Sequence, residues 1–160
     1  MLLTLLLIMG SMGSAVNAAV FNIDFETTSK GIQLVNLDTG TVVYQKNATE
    51  KLEPASTTKI MTYIVAVENI PDLKGTQNTG TEEVVTDLLG TGSSLAGVKE
   101  GEILTALQLL NCMMVPSGND AALALAYYLG NGDPQKFVDM MNEKAEELGC
   151  TNTHFMNPHG

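Results

Sequence analysis

Four stretches of apolar residues at near-helical spacing, punctuated by prolines and glycines, occupy most of residues 56–149 and leave little chain for sheet. Residues 56–69 carry Ile60, Met61, Ile64, Val65 and Val67, with Pro54 ahead and Pro71 behind, the pattern of a helix with defined ends. Residues 103–114 place Ile103, Leu107, Leu110 and Met114 on one face. Residues 120–129 are rich in Ala and Leu and stop at Gly130, a natural C-terminal cap. Asp133-Pro134 reads as N-cap and first-turn proline of a last helix. Its stripe is Phe137, Met140, Met141, Ala145 and Leu148, closed by Gly149. One clear hairpin precedes them. Ile32, Leu34, Val42 and Val43 flank the turn signal Asp38-Thr39-Gly40. Residues 81–85 are the next strand candidate. A lone hairpin is marginal in water, so the expected fold class is α+β. It comprises a helical cluster and the first hairpin of an antiparallel sheet, with the completing strands in further sequence.

The chain has 160 residues, 44% hydrophobic and 16% charged, enough apolar side chains for a core and too few charges for a disordered polymer. The formal net charge of −10, with 8 Lys and Arg against 18 Asp and Glu, argues against a nucleic-acid partner, whose phosphates need clustered Lys and Arg. It equally disfavours an anionic membrane surface, leaving membrane contact to a C-terminal anchor beyond Gly160, if one exists. At the other end, Leu2–Met9 is an apolar run too short to span a bilayer. Small residues follow it, and Val16-Asn17-Ala18 has the form of a signal-peptidase site. Residues 1–18 are therefore expected to be an export signal, although no Lys or Arg precedes the apolar run. Residues 19–160 are the expected mature part. Cys112 and Cys150 are expected to be buried thiols. Cys150, His154 and His159 match no zinc-ligand spacing, and no metal is expected.

Ser56-Thr57-Thr58-Lys59 sets a hydroxyl and an amine on one face of a helix, at i and i+3. Ser56 falls at the helix start, where the partial positive charge of the backbone favours a developing oxyanion. A serine nucleophile needs a base, and a lysine made neutral by burial can serve. Bringing its pKa from about 10.4 to about 7–8 takes roughly 4 kcal/mol. Ser-x-x-Lys alone is a weak signal. A second polar constellation, Ser117-Gly118-Asn119, lies in the break between two expected helices after Pro116. A hydroxyl there can relay a proton to a leaving amine, and an amide can bind a substrate carbonyl and help hold Lys59. The plainer reading of Ser117 or Asn119 is a helix N-cap.

The two segments together resemble the penicillin-binding D-alanyl-D-alanine carboxypeptidases, low-molecular-mass serine peptidases of cell-wall maturation. Pro54-Ala55-Ser56-Thr57-Thr58-Lys59-Ile60-Met61-Thr62 is similar to that family's nucleophile segment. Val115-Pro116-Ser117-Gly118-Asn119-Asp120-Ala121-Ala122 is similar to its second motif. Gly92-Ser93-Ser94 resembles a loop bordering the family's site. Phe137-Val138 to Met141-Asn142, Leu148-Gly149, Thr153, Phe155 and Asn157-Pro158-His159-Gly160 resemble the segment that follows. The resemblance implies a serine β-lactamase/transpeptidase-like fold, with Ser56 acylated, Lys59 its proton acceptor, Ser117 a proton relay and Asn119 a substrate contact. It implies no metal or organic cofactor. The implied substrate is a peptidoglycan stem peptide ending in D-Ala-D-Ala, with β-lactams as mimics that acylate the same serine. The implied location is the cell envelope, on the outer side of the cytoplasmic membrane.

The family's third motif, Lys-Thr-Gly on a strand lining the site, does not occur in these 160 residues. Taken alone, the 160 residues are accordingly expected to be inactive and poorly folded. Two alternatives stay open at this point. A β-lactamase shares the first motif, but no Glu-x-x-Leu-Asn string follows Asn119 to supply a deacylating base. A non-catalytic sensor on the same scaffold would not need Ser56, Lys59, Ser117 and Asn119 together.

Overall fold

The computed structural model describes residues 26–160, so the expected export signal lies outside the described residues. The chain divides into two units, one running to Leu52 and the other from Glu53 to Gly160. In the first, β1 (Ile32–Val35) pairs antiparallel with β2 (Val42–Lys46), with Leu34 opposite Tyr44. The turn is closed by Asn36, whose Oδ1 accepts from the Asp38 and Thr39 N–H groups at 3.0 Å each. Gly40, at φ +67°, takes the left-handed position. The sequence pattern thus reads this hairpin correctly.

The second unit is helical, with one short ribbon. After a 3-10 turn at Ala55–Thr57 come α1 (Thr58–Asn69), β3 (Gln77–Thr79) and α2 (Glu82–Thr86). They are followed by β4 (Ile103–Thr105), α3 (Ala106–Met114), α4 (Asn119–Leu129) and α5 (Pro134–Glu147). β3 and β4 pair antiparallel, Asn78 opposite Leu104. Helix α4 is the centre. Its residues from Asn119 to Ala126 are consecutively buried, the condition of a helix with neighbours on all sides. On one side Ala121, Ala122, Ala124 and Leu125 meet Ala66, Ile70, Val84, Leu109, Leu110 and Met113. On another, Ala126 meets Met61, Val65, Phe137, Met141 and Ala145. Alanine at these positions lets the surrounding helices approach closely, so packing depends on small volume here as much as on hydrophobicity.

Three expectations need correction. Residues 81–85 are not a strand. Glu82 and Glu83 occupy the first turn of α2, where acidic groups suit the helix dipole, and Val84 is the residue that turns inward. The helix expected from residue 103 begins at Ala106. Thr105 accepts from the Gln108 N–H while Gln108 Oε1 accepts from the Thr105 N–H, a reciprocal cap that stops the helix there. Ile103 is left on the strand, and it is exposed. The helical stripes also include residues that face outward, namely Ile60, Val67, Met114 and Leu148. The α5 start is as expected, with Asp133 Oδ1 accepting from the Gln135 N–H at 3.0 Å.

Candidate active site

The chain enters α1 through a strained turn. Ala55 sits at φ +48°, a left-handed conformation that costs a non-glycine residue about 1–2 kcal/mol. The turn is held because Thr57 Oγ1 donates to the Pro54 carbonyl at 2.7 Å. It leaves Ser56 exposed at the helix entrance. One turn later Lys59 is only 2% exposed, yet its Nζ lies 3.1 Å from Ser56 Oγ and donates to it. The second partner of Nζ is the His159 carbonyl, at 3.0 Å. Among the described residues no carboxylate pairs with Lys59, and the ion pairs are those of Lys144 with Glu68 and Glu147. Burial without a counter-ion pushes the Lys59 amine below its ordinary range.

The carbonyl that meets Lys59 belongs to a carefully fastened tail. Asn142 clamps Phe155 from both sides, its Nδ2 donating to the Phe155 carbonyl at 3.0 Å and its Oδ1 accepting from the Phe155 N–H at 2.8 Å. Thr62, fully buried on α1, donates its hydroxyl to the Pro158 carbonyl at 2.6 Å. Asn157 Oδ1 accepts from the N–H groups of His159 and Gly160. A Cβ on Gly160 would run into the Ala55 carbonyl, so the tail can close against the Ser56 turn only with glycine there. Residues 157–160 belong to no helix or strand, so periodicity carries no sign of this docking. The available signal was three side chains of fixed hydrogen-bonding habit, Thr62, Asn142 and Asn157, that face the tail backbone.

The imidazole of His159 is half-buried, and burial, then the Lys59 charge, pushes it below its ordinary value of 6.5. A histidine that resists protonation when folded contributes stability above its unfolded pKa, and that stability is lost as pH falls through the lower folded value. His159→Gln in the full-length protein is therefore expected to flatten the decline in denaturation midpoint between about pH 7 and pH 5. An unchanged decline would place the acid sensitivity elsewhere. Neither histidine is hydrogen-bonded to Ser56, whose oxygen takes its bond from Lys59.

Ser117, Gly118 and Asn119 form the turn between α3 and α4. Ser117 is in the left-handed region at φ +61°, and its buried Oγ has no hydrogen-bond partner among the described residues. The cap position of α4 is Gly118, and no side chain caps the helix. The plainer reading of Ser117 or Asn119 as an N-cap therefore does not hold. Asn119 is 8% exposed, and its N–H donates to the Ser94 carbonyl at 2.8 Å. The structure thus joins Ser56 to Lys59 directly, while Ser117 and Asn119 make no hydrogen bond to either. Cys112 is half-buried and Cys150 exposed, both as free thiols, so the expectation of two buried thiols fails for Cys150. Among the described residues no group of three or more His, Cys, Asp or Glu is placed to hold a metal. No helix among them is long and apolar enough to cross a membrane.

The protein-family model described as D-alanyl-D-alanine carboxypeptidase, peptidase family S11, matches residues 15–160, and the chain belongs to this family. It is 39% identical over 134 residues to the D-alanyl-D-alanine carboxypeptidase DacF of Bacillus subtilis, covering 82% of this chain and 33% of that protein. It is 39% identical over 129 residues to DacB2 of Mycobacterium tuberculosis, covering 79% of this chain and 41% of that protein. Among solved structures, the D-alanyl-D-alanine carboxypeptidase DacD of Francisella tularensis superposes with a TM-score of 0.74 at 38% identity, over 88% of this chain and 34% of that one. The Streptomyces K15 DD-transpeptidase superposes with a TM-score of 0.75 at 32% identity, over 85% of this chain and 55% of that one. The helical unit and small antiparallel sheets are therefore an incomplete α+β fold of the DD-peptidase and transpeptidase type. The chain spans about a third of the length of the first of these curated relatives.

Proposed function

We propose that the protein is a serine-type D-alanyl-D-alanine carboxypeptidase that removes the terminal D-alanine from peptidoglycan stem pentapeptides through an acyl-enzyme. The observation that carries this reading is the 3.1 Å approach of Lys59 Nζ to Ser56 Oγ by an amine buried without a counter-ion. Family membership supports the substrate class. In its neutral form Lys59 accepts the Ser56 proton as Oγ bonds to the carbonyl carbon of the penultimate D-alanine. The C–N bond to the last D-alanine then breaks. Its departing amine takes a proton from Lys59 through Ser117, whose hydroxyl is not spent on any protein partner. Water, giving a proton to Lys59, attacks the ester carbonyl carbon, and Lys59 hands that proton to Ser56 Oγ as the C–O bond breaks, which frees the shortened peptide and restores both residues. Asn119 binds a substrate carbonyl through its side-chain amide. β-Lactams, as cyclic mimics of the dipeptide, acylate Ser56 by the same route.

The envelope location and export by residues 1–18 belong to the same reading, supported by the signal-like sequence and by the curated relatives' peptidase activity. So does the placement of residues 19–160 as the N-terminal portion of the catalytic domain. The test is to treat the full-length protein with a fluorescent penicillin and locate the added mass by peptide mapping. The label is expected on the peptide containing Ser56. A label on another residue, or none, removes the proposal.

A further inference from the structure

One carboxylate fastens the Ser117–Asn119 turn to a segment more than twenty residues earlier. Asp120, 2% exposed in the first turn of α4, accepts four backbone N–H bonds. Oδ1 takes those of Ala96 at 2.8 Å and Ala121 at 3.0 Å. Oδ2 takes those of Gly97 at 2.8 Å and Val98 at 2.9 Å. The contact is returned from the other side, where the Asn119 N–H donates to the Ser94 carbonyl at 2.8 Å. Gly118 completes the join, since a Cβ there would lie 2.7 Å from Ala96 Cβ and 2.8 Å from Asp120 Oδ1. The segment 94–98 has no helix or strand of its own to hold it. Its order comes from this carboxylate, from Ser94 and from Val98, which is buried in the core.

The same junction sets the backbone of Ser117. That residue is left-handed, and its hydroxyl has no protein partner to orient it. Its aim is therefore fixed through the backbone, by the Gly118 N–H on the Cys112 carbonyl at 3.1 Å and by the Asn119–Ser94 bond. Releasing segment 94–98 frees one of these two anchors.

We propose that Asp120 is a positioning residue for acyl transfer, holding segment 94–98 as a wall against the Ser117–Asn119 turn so that these two side chains keep their aim. This rests on the reading of Ser56 as nucleophile with Ser117 and Asn119 beside it. Asp120 itself touches no reacting atom. Asp120→Asn keeps one acceptor oxygen and turns the other into an NH2 group, so in either orientation two of the four N–H groups lose their acceptor. Gly97→Ala leaves the carboxylate untouched. The added methyl meets nothing within 4 Å, yet φ +89° is closed to alanine, so the segment must shift.

The experiment measures, in the full-length protein, the rate of acylation by a fluorescent penicillin per folded molecule, together with amide exchange at residues 96–98. Both variants are expected to acylate roughly 10- to 100-fold more slowly, the scale of a small misplacement of reacting groups. Amide exchange at 96–98 should quicken in both. A residue that is only structural would lower the melting temperature and leave the rate per folded molecule unchanged, and that result overturns the proposal. If Asp120→Asn does not fold, Gly97→Ala decides alone by the same criterion. Failure of the unmodified protein to be labelled would instead count against Ser56 as nucleophile.

Discussion

Ser56→Ala in the full-length protein is expected to abolish covalent labelling by penicillin and to cut D-alanine release by about 10⁶-fold, the scale of losing an activated serine. The fold has little stake in this side chain. Ser56 is exposed, and its one side-chain hydrogen bond is the one from Lys59. The melting temperature should therefore move by no more than a surface substitution moves it, about 0.5 kcal/mol of stability. The variant should still bind the dipeptide terminus, because binding and chemistry depend on different groups. Measuring label incorporation, product release and melting on one preparation separates the outcomes. Label incorporated into a folded Ser56→Ala protein would show that another residue is the nucleophile.

The second large effect belongs to Lys59. Lys59→Met keeps length and removes the amine, and acylation should fall by about 10²–10⁴-fold, the usual contribution of a positioned general base. The sign of the pH dependence follows from burial. Only the neutral amine can take the serine proton, so the unmodified protein should acylate faster as pH rises. The rate should level off below 10.5, the ordinary lysine value, because burial lowers this pKa. In Lys59→Met that ascending limb should be absent. Some stability should be lost as well, since the His159 carbonyl is left without its donor, at a cost of about 1–3 kcal/mol. A folded Lys59→Met protein with the original rate and pH profile would remove lysine from the mechanism.

What could be read beforehand follows the range of the interactions involved. The hairpin and the start of α5 depend on neighbours within four residues, and Asn36, Gly40 and Asp133 state them directly. Spacing alone placed Ser56 and Lys59 on one face. It gave no sign of what holds Lys59, because one of its two partners is a carbonyl 100 residues further on. The ribbon of β3 and β4 was hidden for a similar reason. Each strand has three residues, and each exists only through its pairing with the other. Ser117 was open to reading as a cap because sequence cannot show that the backbone turns left-handed there and gives the cap position to Gly118. Leu148 continued a periodic stripe that the helix does not extend to cover.

The bonds from Thr62 to Pro158 and from Lys59 to His159 tie two successive carbonyls of the tail to α1. A slip of one residue in the tail would break both together. During synthesis α1 leaves the ribosome long before residues 158–160 exist, and until they arrive the lysine has no carbonyl to seat against. The newborn chain thus carries its serine beside an amine whose second partner lies 100 residues further on. The seated arrangement of Ser56 and Lys59 depends on a contact made well after the first helix has formed.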